Sequence, residues 1–561
     1  MSRPSRAQFV LALVAVVTVG IAFRSIPLWY SPLPFNPDGI IHARNAKIAI
    51  QTGHLPLSDI FTDDLTFGSF LAVVSLVTDS RPLTVSQPVI AIVGTLPAVV
   101  AAMFARRWAR RLDHSHRYAR RAEVLGGALV AIGGIYLYRS APVDEQTLGL
   151  LLVPLALAAV VTGLWHDDRR WLVVAVPLLL AIPPLHNLES VLVGLSLTAL
   201  GGFALLRAGT RQRLFVGASV LAAGYWLYNT GYTLGMTELT ATAVHQQDRV
   251  TNAPGLLVAW VILGVAGIAW FERVGKRTKR AVLFVPFLVF FGVIGLNAIV
   301  PVFPGLPETP LALLAPALAL MIPAVVACWG YPVVGRDIET RALMTTLLAG
   351  PLMLLGFSLT TELSPVYFAT ATRTQWFLYV PVLAVVGVTV TWLGRDRLAG
   401  RSWTHRSLVI VVLLAVGIGV PVAFAGLPVF SYQGITTTGE FAASTFAHEH
   451  VPGTWTSDDH LVRITRYHSP TVAGTVAPVY SWVHDASAPP PNCPTIVKAS
   501  WTTAGAQFYP RPPATIAPDR LTEIDTSGHR IYHGGSTQSI RTFHPTDGDV
   551  SACSGAAEPE Q

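Results

Sequence analysis

The polar segment from Asn36 to Arg44 carries three side chains that can move protons or bind an anion. Asp38 supplies a carboxylate, His42 an imidazole and Arg44 a guanidinium. An ionised carboxylate can act as a general base, and a guanidinium can hold phosphate oxygens in two places. These residue types permit chemistry of this kind, and a capped interfacial helix with a water-facing polar side would have the same composition.

The same segment predicts a short helix. Asn36 is a favoured N-cap residue, Pro37 suits the first helical position, and Asp38 then lies in the first turn. Gly53 followed by Pro56 predicts the C-terminal end of this helix. Because the N-terminal end of a helix dipole is positive, the helix would favour the ionised form of Asp38.

Three further polar segments carry ionisable groups between hydrophobic runs. Asp144 and Glu145 are adjacent carboxylates at the start of a predicted helix, and His186 lies in a proline-interrupted segment of the kind that lines cavities. Glu362 and Arg373 belong to a fourth segment, in which Arg373 can bind a phosphate or simply pair with Glu362. Charge is costly at a membrane edge and needs a reason. We therefore predict that these five residues bind substrate, together with His42 and Arg44 of the first segment.

The hydrophobic runs that must position these residues predict a polytopic α-helical membrane protein. Of 561 residues, 52% are hydrophobic and 13% are charged, which excludes an ordinary soluble protein. We predict thirteen spans at residues 9–26, 84–105, 124–138, 148–164, 171–182, 191–206, 214–232, 255–271, 281–300, 311–329, 343–360, 376–393 and 407–424. The apolar run 65–77 is shorter than the roughly 17 residues that a crossing needs, so we expect it to dip into the membrane or lie on its surface.

The basic residues assign sides to the membrane. Seven arginines between residues 106 and 121 follow the second span, and the other arginine-rich loops fall on the same side. Cytoplasmic loops carry an excess of Lys and Arg, so the N-terminus is predicted to be cytoplasmic and the C-terminus extracellular. Topology thus accounts for the net charge of +7, and no nucleic acid partner is expected.

Composition also divides the chain into parts. Residues 1–425 form the predicted membrane domain, residues 426–550 a small extracellular β-rich domain, and residues 551–561 a disordered tail. The predicted outer loops are residues 27–83, 139–147, 183–190, 233–254 and 361–375. Cys493 and Cys553 both fall on the predicted extracellular side, where a disulfide between them is possible but not required by the sequence.

The order and spacing of these motifs resemble the GT-C superfamily of membrane glycosyltransferases, which use sugars carried on polyprenyl phosphates. The stretch from Asp38 to Arg44 is similar to the first-loop acidic motif of archaeal members, in which an aspartate precedes His-x-Arg. Asp144-Glu145 resembles their second acidic motif. The sequence ending at Glu362 loosely resembles the Thr/Ser-x-x-Glu motif of oligosaccharyltransferases.

One departure from oligosaccharyltransferases narrows what the resemblance implies. Their soluble domain carries a Trp-Trp-Asp motif that reads the acceptor, whereas Trp455, Trp482 and Trp501 are isolated in this sequence. The resemblance then implies transfer of a single sugar from a dolichyl monophosphate carrier. Among archaeal members it is most similar to the dolichyl-phosphate-mannose mannosyltransferases of S-layer N-glycosylation.

The resemblance also implies roles for individual residues. Asp38 would be the catalytic base of an inverting displacement, and Arg373 would receive the departing polyprenyl phosphate. Asp38, Asp144 and Glu145 could together hold Mg or Mn, but the sequence does not require a metal. The implied partners are the lipid-linked sugar donor, a glycan or glycoprotein acceptor, and membrane lipid.

Three other functions fit parts of the sequence. En bloc transfer of a glycan, as in oligosaccharyltransferases, would need the same outer carboxylates. A transporter or lipid flippase would have internal repeats and charges near the membrane midplane, whereas the ionisable groups here cluster at the predicted outer ends of the spans. A scaffold that only displays the C-terminal domain would not need the outer carboxylates at all.

Overall fold

Helices account for every predicted hydrophobic run in the computed structural model. The structure describes residues 6–57, 64–112, 115–206, 211–240, 250, 252–302, 308–362, 364–396, 402–424, 434–469, 474–508, 511–534, 540–545 and 553. The first helices are α1 Arg6–Arg24, α2 Pro37–Thr52, α3 Leu65–Thr78, α4 Pro82–Val93, α5 Leu96–Leu112, α6 His116–Ala131, α7 Gly134–Ser140, α8 Glu145–His166 and α9 Arg169–Ala181. They are followed by α10 Asn187–Leu205, α11 Gln212–Thr240, α12 Pro254–Arg273, α13 Lys276–Asn297, α14 Leu311–Ala319, α15 Met321–Val334, α16 Ile338–Thr361, α17 Pro365–Asp396 and α18 Ser402–Gly417.

The number of helices that can cross a membrane is smaller than the thirteen predicted runs. Within the described residues, ten helices are long and apolar enough, and the bent pair α6 and α7 makes an eleventh if it counts as one span. The other two runs form α9, which has only 13 residues, and α11, which has 29 residues but includes polar ones such as Asn229 and Thr233. Helix α3 has 14 residues, as expected for a segment too short to cross.

The bend between α6 and α7 is 66° and directs α7 toward the polar segment that precedes α8. A break of this kind leaves backbone carbonyls without helical partners, which is costly inside a membrane. Arg24 at the end of α1 supplies a donor to one of them, because its Nη1 donates to the Ala131 carbonyl (3.3 Å), while its Nη2 donates to Ser140 Oγ at the end of α7 (2.8 Å). Gly134 at the start of α7 lies against the Gly419 and Val420 backbone, where any side chain would clash.

The C-terminal part contains a mixed sheet with helices. Its helices are α19 Thr438–His450, α20 Asp459–Thr465, α21 Ala477–His484 and α22 Pro518–Ser527. Its strands are β1 Trp455–Thr456, β2 Gly474–Thr475, β3 Thr495–Lys498, β4 Ala506–Phe508, β5 Arg511–Ala514, β6 Gly528–Gly534 and β7 Ile540–Pro545. Five strands form one sheet in the order β2-β1-β3-β7-β6, parallel around β1 and antiparallel around β7, while β4 pairs with β5. The expected C-terminal sheet is confirmed, and it is packed with helices that the sequence did not predict.

A disulfide joins the two cysteines of the C-terminal part. Cys493 and Cys553 are bonded, with their Cα atoms 5.6 Å apart, and both are buried. The bond closes a loop of 60 residues in sequence separation. Of the tail predicted to be disordered, residues 551–561, only Cys553 lies within the described residues.

Helix α2 belongs to the cores of both parts. Ile40 on α2 is fully buried in an apolar cluster whose other fully or largely buried members come from the C-terminal part. Just before the helix, Phe35 forms a β-bridge with Ile435, and the Asn36 amide donates to the Gly434 carbonyl at 2.6 Å. The two predicted domains therefore share a boundary at the segment that carries Asp38.

Candidate functional site

Helix α2 begins and ends where the sequence predicted. Asn36 is the N-cap and its Oδ1 accepts a hydrogen bond from the Asp38 amide (3.2 Å), while Pro37 occupies the first turn and Gly53 ends the helix with φ +78°. Asn36 itself has φ +103°, an unfavourable backbone conformation for a residue other than glycine. Strain of this kind costs about 1–3 kcal/mol and persists only where surrounding contacts impose it, which here include the capping bond and the backbone bond to Gly434.

The start of α8 brings a second carboxylate toward the same place. Asp144 is the N-cap of α8, and its Oδ1 accepts from the Gln146 amide at 2.8 Å. Its Oδ2 accepts from Arg139 Nη1 at 3.0 Å and from Asn36 Nδ2 at 3.5 Å. Burial alone would raise the pKa of Asp144, but the positive charges of Arg139 and Arg373 outweigh it and lower the pKa. Arg373 is close by on α17, and its carbonyl accepts from Gln146 Nε2 at 3.3 Å.

Glu145 connects two imidazoles beside this pair. Its Oε2 lies 3.1 Å from His42 Nε2, and its Oε1 lies 3.4 Å from His186 Nε2. His186 also contacts Glu189 one turn into α10 through its other ring nitrogen, which fixes the imidazole at both ends. Phe67 of α3 meets the His42 ring edge-on, with 4.8 Å between centroids. Four helices, α2, α3, α8 and α10, therefore enclose the two imidazoles.

Asp64 completes a group that can hold a metal ion. One ligand atom each from His42, Asp64 and Glu145 lies within 4.8 Å of the others, and His42 Nδ1 is buried without a hydrogen-bond partner, 3.7 Å from Asp64 Oδ2. Burial alone would lower the pKa of His42, but the carboxylates, chiefly those of Asp64 and Glu145, outweigh it and raise the pKa to about 10. The donor set thus fits a divalent cation, which would take the place of the imidazolium proton.

This group differs from the metal ligands that the sequence suggested. From the sequence, Asp38, Asp144 and Glu145 could together hold a metal without one being required, but in the structure Asp38 and Asp144 each pair with an arginine. Asp144 binds Arg139, and Asp38 Oδ1 accepts from Arg463 Nη1 of α20 at 3.0 Å. Carboxylates that already neutralise a guanidinium are poorer candidates for a cation, so Asp64 and His42 replace them in the group that the geometry brings together.

The remaining predicted site residues lie at or beyond the edge of the cluster. Arg44 is buried on α2 and its Nη1 donates to Asn45 Oδ1 at 3.4 Å. Glu362 is exposed at the C-terminal end of α16, and none of the cluster contacts given above involves it. Of the predicted outer loop 233–254, residues 241–249 and 251 lie outside the described residues.

Three residues that the structure brings to the site had weaker signals in the sequence. Asp64 precedes the apolar run that begins at Leu65, and its place before a helix was its only local signal. Arg139 ends a run on the predicted outer side, where the positive-inside rule makes an arginine unusual, so it could have been found. Arg463 lies 425 residues from its partner in sequence, and no local pattern links the two.

The arrangement can support proton transfer beside a developing negative charge. Asp38 and Glu145 provide carboxylates, while Arg139 and Arg373 provide two guanidinium groups near Asp144. Such fixed charges stabilise charge that develops in a transition state, because they need no reorganisation in a site that excludes water. The chemistry available is therefore general-base catalysis combined with binding of an anionic leaving group.

Two solved structures share the fold of this chain. The Archaeoglobus fulgidus oligosaccharyltransferase in complex with Zn and sulfate matches with a TM-score of 0.55 and 12% sequence identity, over 95% of this chain and 73% of its own. The apo form of that protein matches with a TM-score of 0.53 and 11% identity, over 89% and 70%. No family model matches the chain, and no curated protein matches it in sequence. The likeness concerns the fold, and the expected polytopic helical architecture with a small C-terminal sheet part is confirmed.

Proposed function

We propose that this protein is a membrane glycosyltransferase that moves a single sugar, mannose, from a dolichyl monophosphate carrier to a glycan on the outer face of the cell membrane. The observation that carries the proposal is the convergence of carboxylates, imidazoles and guanidinia from separate polar segments in one buried cluster. The fold of the chain is shared with an oligosaccharyltransferase, a protein whose name describes glycan transfer. Protein N-glycosylation of a surface-layer protein is the process that we infer for it.

In the proposed reaction Asp38 is the general base. Its carboxylate takes the proton of an acceptor hydroxyl as the hydroxyl oxygen attacks the anomeric carbon of the donor sugar. The bond from that carbon to the phosphate oxygen breaks with inversion, and the polyprenyl phosphate leaves as an anion. Arg373 and Arg139 would stabilise this anion, because guanidinium groups bind phosphate through charge-assisted bonds. His42 and Arg44, assigned to substrate binding from sequence, would act from the opposite side.

A divalent cation would fit beside this reaction centre. His42, Asp64 and Glu145 would hold it, and it would supply additional positive charge for the donor phosphate. Carboxylates suit Mg or Mn, while the imidazole shifts the preference toward Mn or Zn. Loss of activity on chelation, restored by one of these ions, is the result expected if the cation takes part.

Transfer of one sugar rather than a whole glycan is supported by the C-terminal part. Trp455, Trp482 and Trp501 are fully or almost fully buried, so none of them presents a surface for reading an acceptor peptide. Trp501 Nε1 is engaged internally, since it donates to Asp458 Oδ2 at 3.0 Å. En bloc glycan transfer is the second candidate, and the fold likeness to an oligosaccharyltransferase is the observation that favours it.

Deletion of the gene in its source organism separates these possibilities. Mass spectrometry of the surface glycan is expected to give a glycan shorter by one hexose. Mass spectrometry of the lipid-linked pool is expected to show that dolichyl-phosphate mannose is still present. Complete absence of the glycan would favour en bloc transfer. An intact glycan with altered solute uptake or lipid distribution would contradict both forms of the proposal and favour a transporter.

A further inference from the structure

We propose that Arg463, on the C-terminal part, is a positioning residue that orients the carboxylate of Asp38 for proton transfer. The proposal rests on the proposed function, in which Asp38 is the base. Asp38 Oδ1 accepts from Arg463 Nη1 at 3.0 Å. This is the only ion pair of Asp38 within the part of the chain that the structure describes. No residue of the membrane part plays this role for Asp38 there.

The contact is one-sided, and this matters for a base. Arg463 engages Oδ1, whereas Oδ2 of Asp38 has no hydrogen-bond donor among the described residues. The side chain of Asp38 is 33% exposed, so that second oxygen is within reach of a substrate. A carboxylate held through one oxygen keeps its rotation fixed while the other oxygen stays free to accept a proton. This geometry suits a base better than a bidentate pair, which would occupy both oxygens.

Arg463 lies on α20, and buried charged residues hold this helix in position. Asp458 caps α20 by accepting from the Leu461 amide at 3.1 Å. The ammonium of Lys498 lies 3.2 Å from Asp458 Oδ2 and 3.2 Å from Glu440 Oε1, and all three of these groups are buried. Because a buried charge network tolerates little movement, α20 presents Arg463 at a fixed place.

Two contacts C-terminal to Asp38 hold α2 against α20 and the residues that follow it. Ile40 packs in the same apolar cluster as Leu461 of α20. Further along α2, Lys47 Nζ lies 4.9 Å from the centre of the Tyr467 ring, just beyond α20. An exposed ion pair by itself contributes little to stability, so the value of the Arg463 contact lies in orientation and charge. The C-terminal part thus contributes a group to the site in the membrane part.

The test measures mannosyl transfer by the purified full-length protein, from dolichyl-phosphate mannose to acceptor glycan isolated from the deletion strain. Arg463→Ala is expected to lower kcat about 10²-fold, the size that a misplaced group typically costs, with little change in acceptor KM. Arg463→Lys keeps the charge but lacks the planar fork, so we expect intermediate activity. Arg530→Ala, at an exposed arginine on β6 of the same part, is the matched control and is expected to keep full activity.

Chemical rescue distinguishes positioning from a purely structural role. Millimolar guanidinium ion added to Arg463→Ala is expected to restore part of kcat, because Arg463 is partly exposed and a free guanidinium can occupy its place. The same addition is expected to leave Arg530→Ala unchanged. Loss of activity without any rescue, or a loss confined to KM, would overturn the proposal. A rate equal to or above that of the unmodified protein would also overturn it.

The outcome for Asp38 separates this proposal from the proposed function. If Asp38→Asn is inactive while Arg463→Ala keeps its full rate, only the positioning role fails. If Asp38→Asn transfers mannose at the normal rate, the assignment of the base fails, and the positioning role fails with it. Each pair of results therefore identifies which of the two statements is wrong.

Discussion

At the scale of single residues, the site depends on carboxylates that have different partners. Asp144 is buried against Arg139, and its pKa is lowered because the nearby guanidinia outweigh burial. Asp38 is more exposed and holds its arginine through one oxygen. A buried, fully paired carboxylate suits the binding of fixed positive charge, whereas a reachable one suits a base. This difference supports the choice of Asp38 over Asp144 for proton transfer.

Asp38→Asn is expected to abolish mannosyl transfer while leaving the protein folded in the membrane. The substitution keeps the size of the side chain and removes only the proton acceptor, and general-base catalysis contributes about 10²–10⁴-fold to a rate. The measurement is transfer by purified protein, with the melting temperature as a check on folding. Asp79→Asn is the matched control, because Asp79 is an exposed helix C-cap with φ +48°, a conformation that Asn tolerates.

Arg373→Ala is expected to reduce turnover and to let the lipid-linked donor accumulate in cells. The substitution removes positive charge from the place where the leaving phosphate would develop its own charge. Quantifying dolichyl-phosphate mannose and the surface glycan by mass spectrometry checks this. Arg81→Ala, at an exposed arginine before α4, serves as the control. Unchanged donor levels with an intact glycan would remove the phosphate-binding role from Arg373.

At the scale of elements, local patterns were predictable and pairings were not. The cap at Asn36, the end of α2 at Gly53 and the acidic start of α8 each depend on a few neighbouring residues, so the sequence predicted all three. The group formed by His42, Asp64 and Glu145 depends on how α2, α3 and α8 pack together. Nothing within a short window specifies such packing, and the sequence therefore did not indicate that His42 and Asp64 lie beside Glu145.

The span count has a similar explanation. A hydrophobic run predicts burial, but it does not say whether lipid or protein surrounds the helix. Helix α9 is only 13 residues long, and α6 and α7 share one run divided by a bend. The run 171–182 is even shorter than the run 65–77, so its length alone marked it as unusual, whereas nothing in the apolar composition of the run 124–138 indicated a bend. Arg24, which donates to the Ala131 carbonyl at the bend, lies 107 residues before it.

The buried charges that hold α19, α20 and β3 predict an unusual dependence of stability on pH. Burial alone would raise the pKa of Glu440, but Lys498 and His460 outweigh it and hold the pKa well below its usual value. Burial alone would lower the pKa of Lys498, but Asp458 and Glu440 outweigh it and raise the pKa. The Glu440 carboxylate stabilises the fold above its unfolded pKa of about 4.5. This stabilisation is lost as pH falls toward the lower pKa of the folded state. The Lys498 ammonium stabilises the fold below its unfolded pKa of about 10.4. This stabilisation is lost as pH rises through the higher pKa of the folded state.

Lys498→Met is expected to destabilise the C-terminal part by about 3–5 kcal/mol at neutral pH, because it leaves two buried carboxylates without their shared cation. Mild acidification should then partly restore the variant, since protonation of Glu440 relieves its unpaired negative charge, whereas it should destabilise the unmodified protein. Hydrogen exchange of peptides from the C-terminal part, followed by mass spectrometry across pH, measures both trends. Parallel pH curves for the two proteins would contradict the assigned network.

At the scale of the whole molecule, the proposed function requires the C-terminal part and the site to lie on the outer side of the membrane. Labelling with a membrane-impermeant maleimide tests this in intact cells, in a Cys328→Ala background. Thr503→Cys is expected to react, because Thr503 is exposed in the C-terminal part. Arg213→Cys is expected to react only after the cells are opened, because this highly exposed residue belongs to a predicted cytoplasmic loop. The reverse pattern would refute the predicted topology.

The shared core of α2 and the C-terminal part has a consequence for biogenesis. Asp38 leaves the ribosome 425 residues before Arg463, which at about 5–20 residues per second is roughly 20–85 s. Throughout that interval Ile40 has no apolar cluster to enter, and Asn36 lacks the carbonyl of Gly434 that helps hold its strained backbone. The membrane helices can insert in order, but the site can be completed only after the C-terminal part has been synthesised and has folded against α2. A truncated nascent chain is therefore inactive even when all its spans are in place.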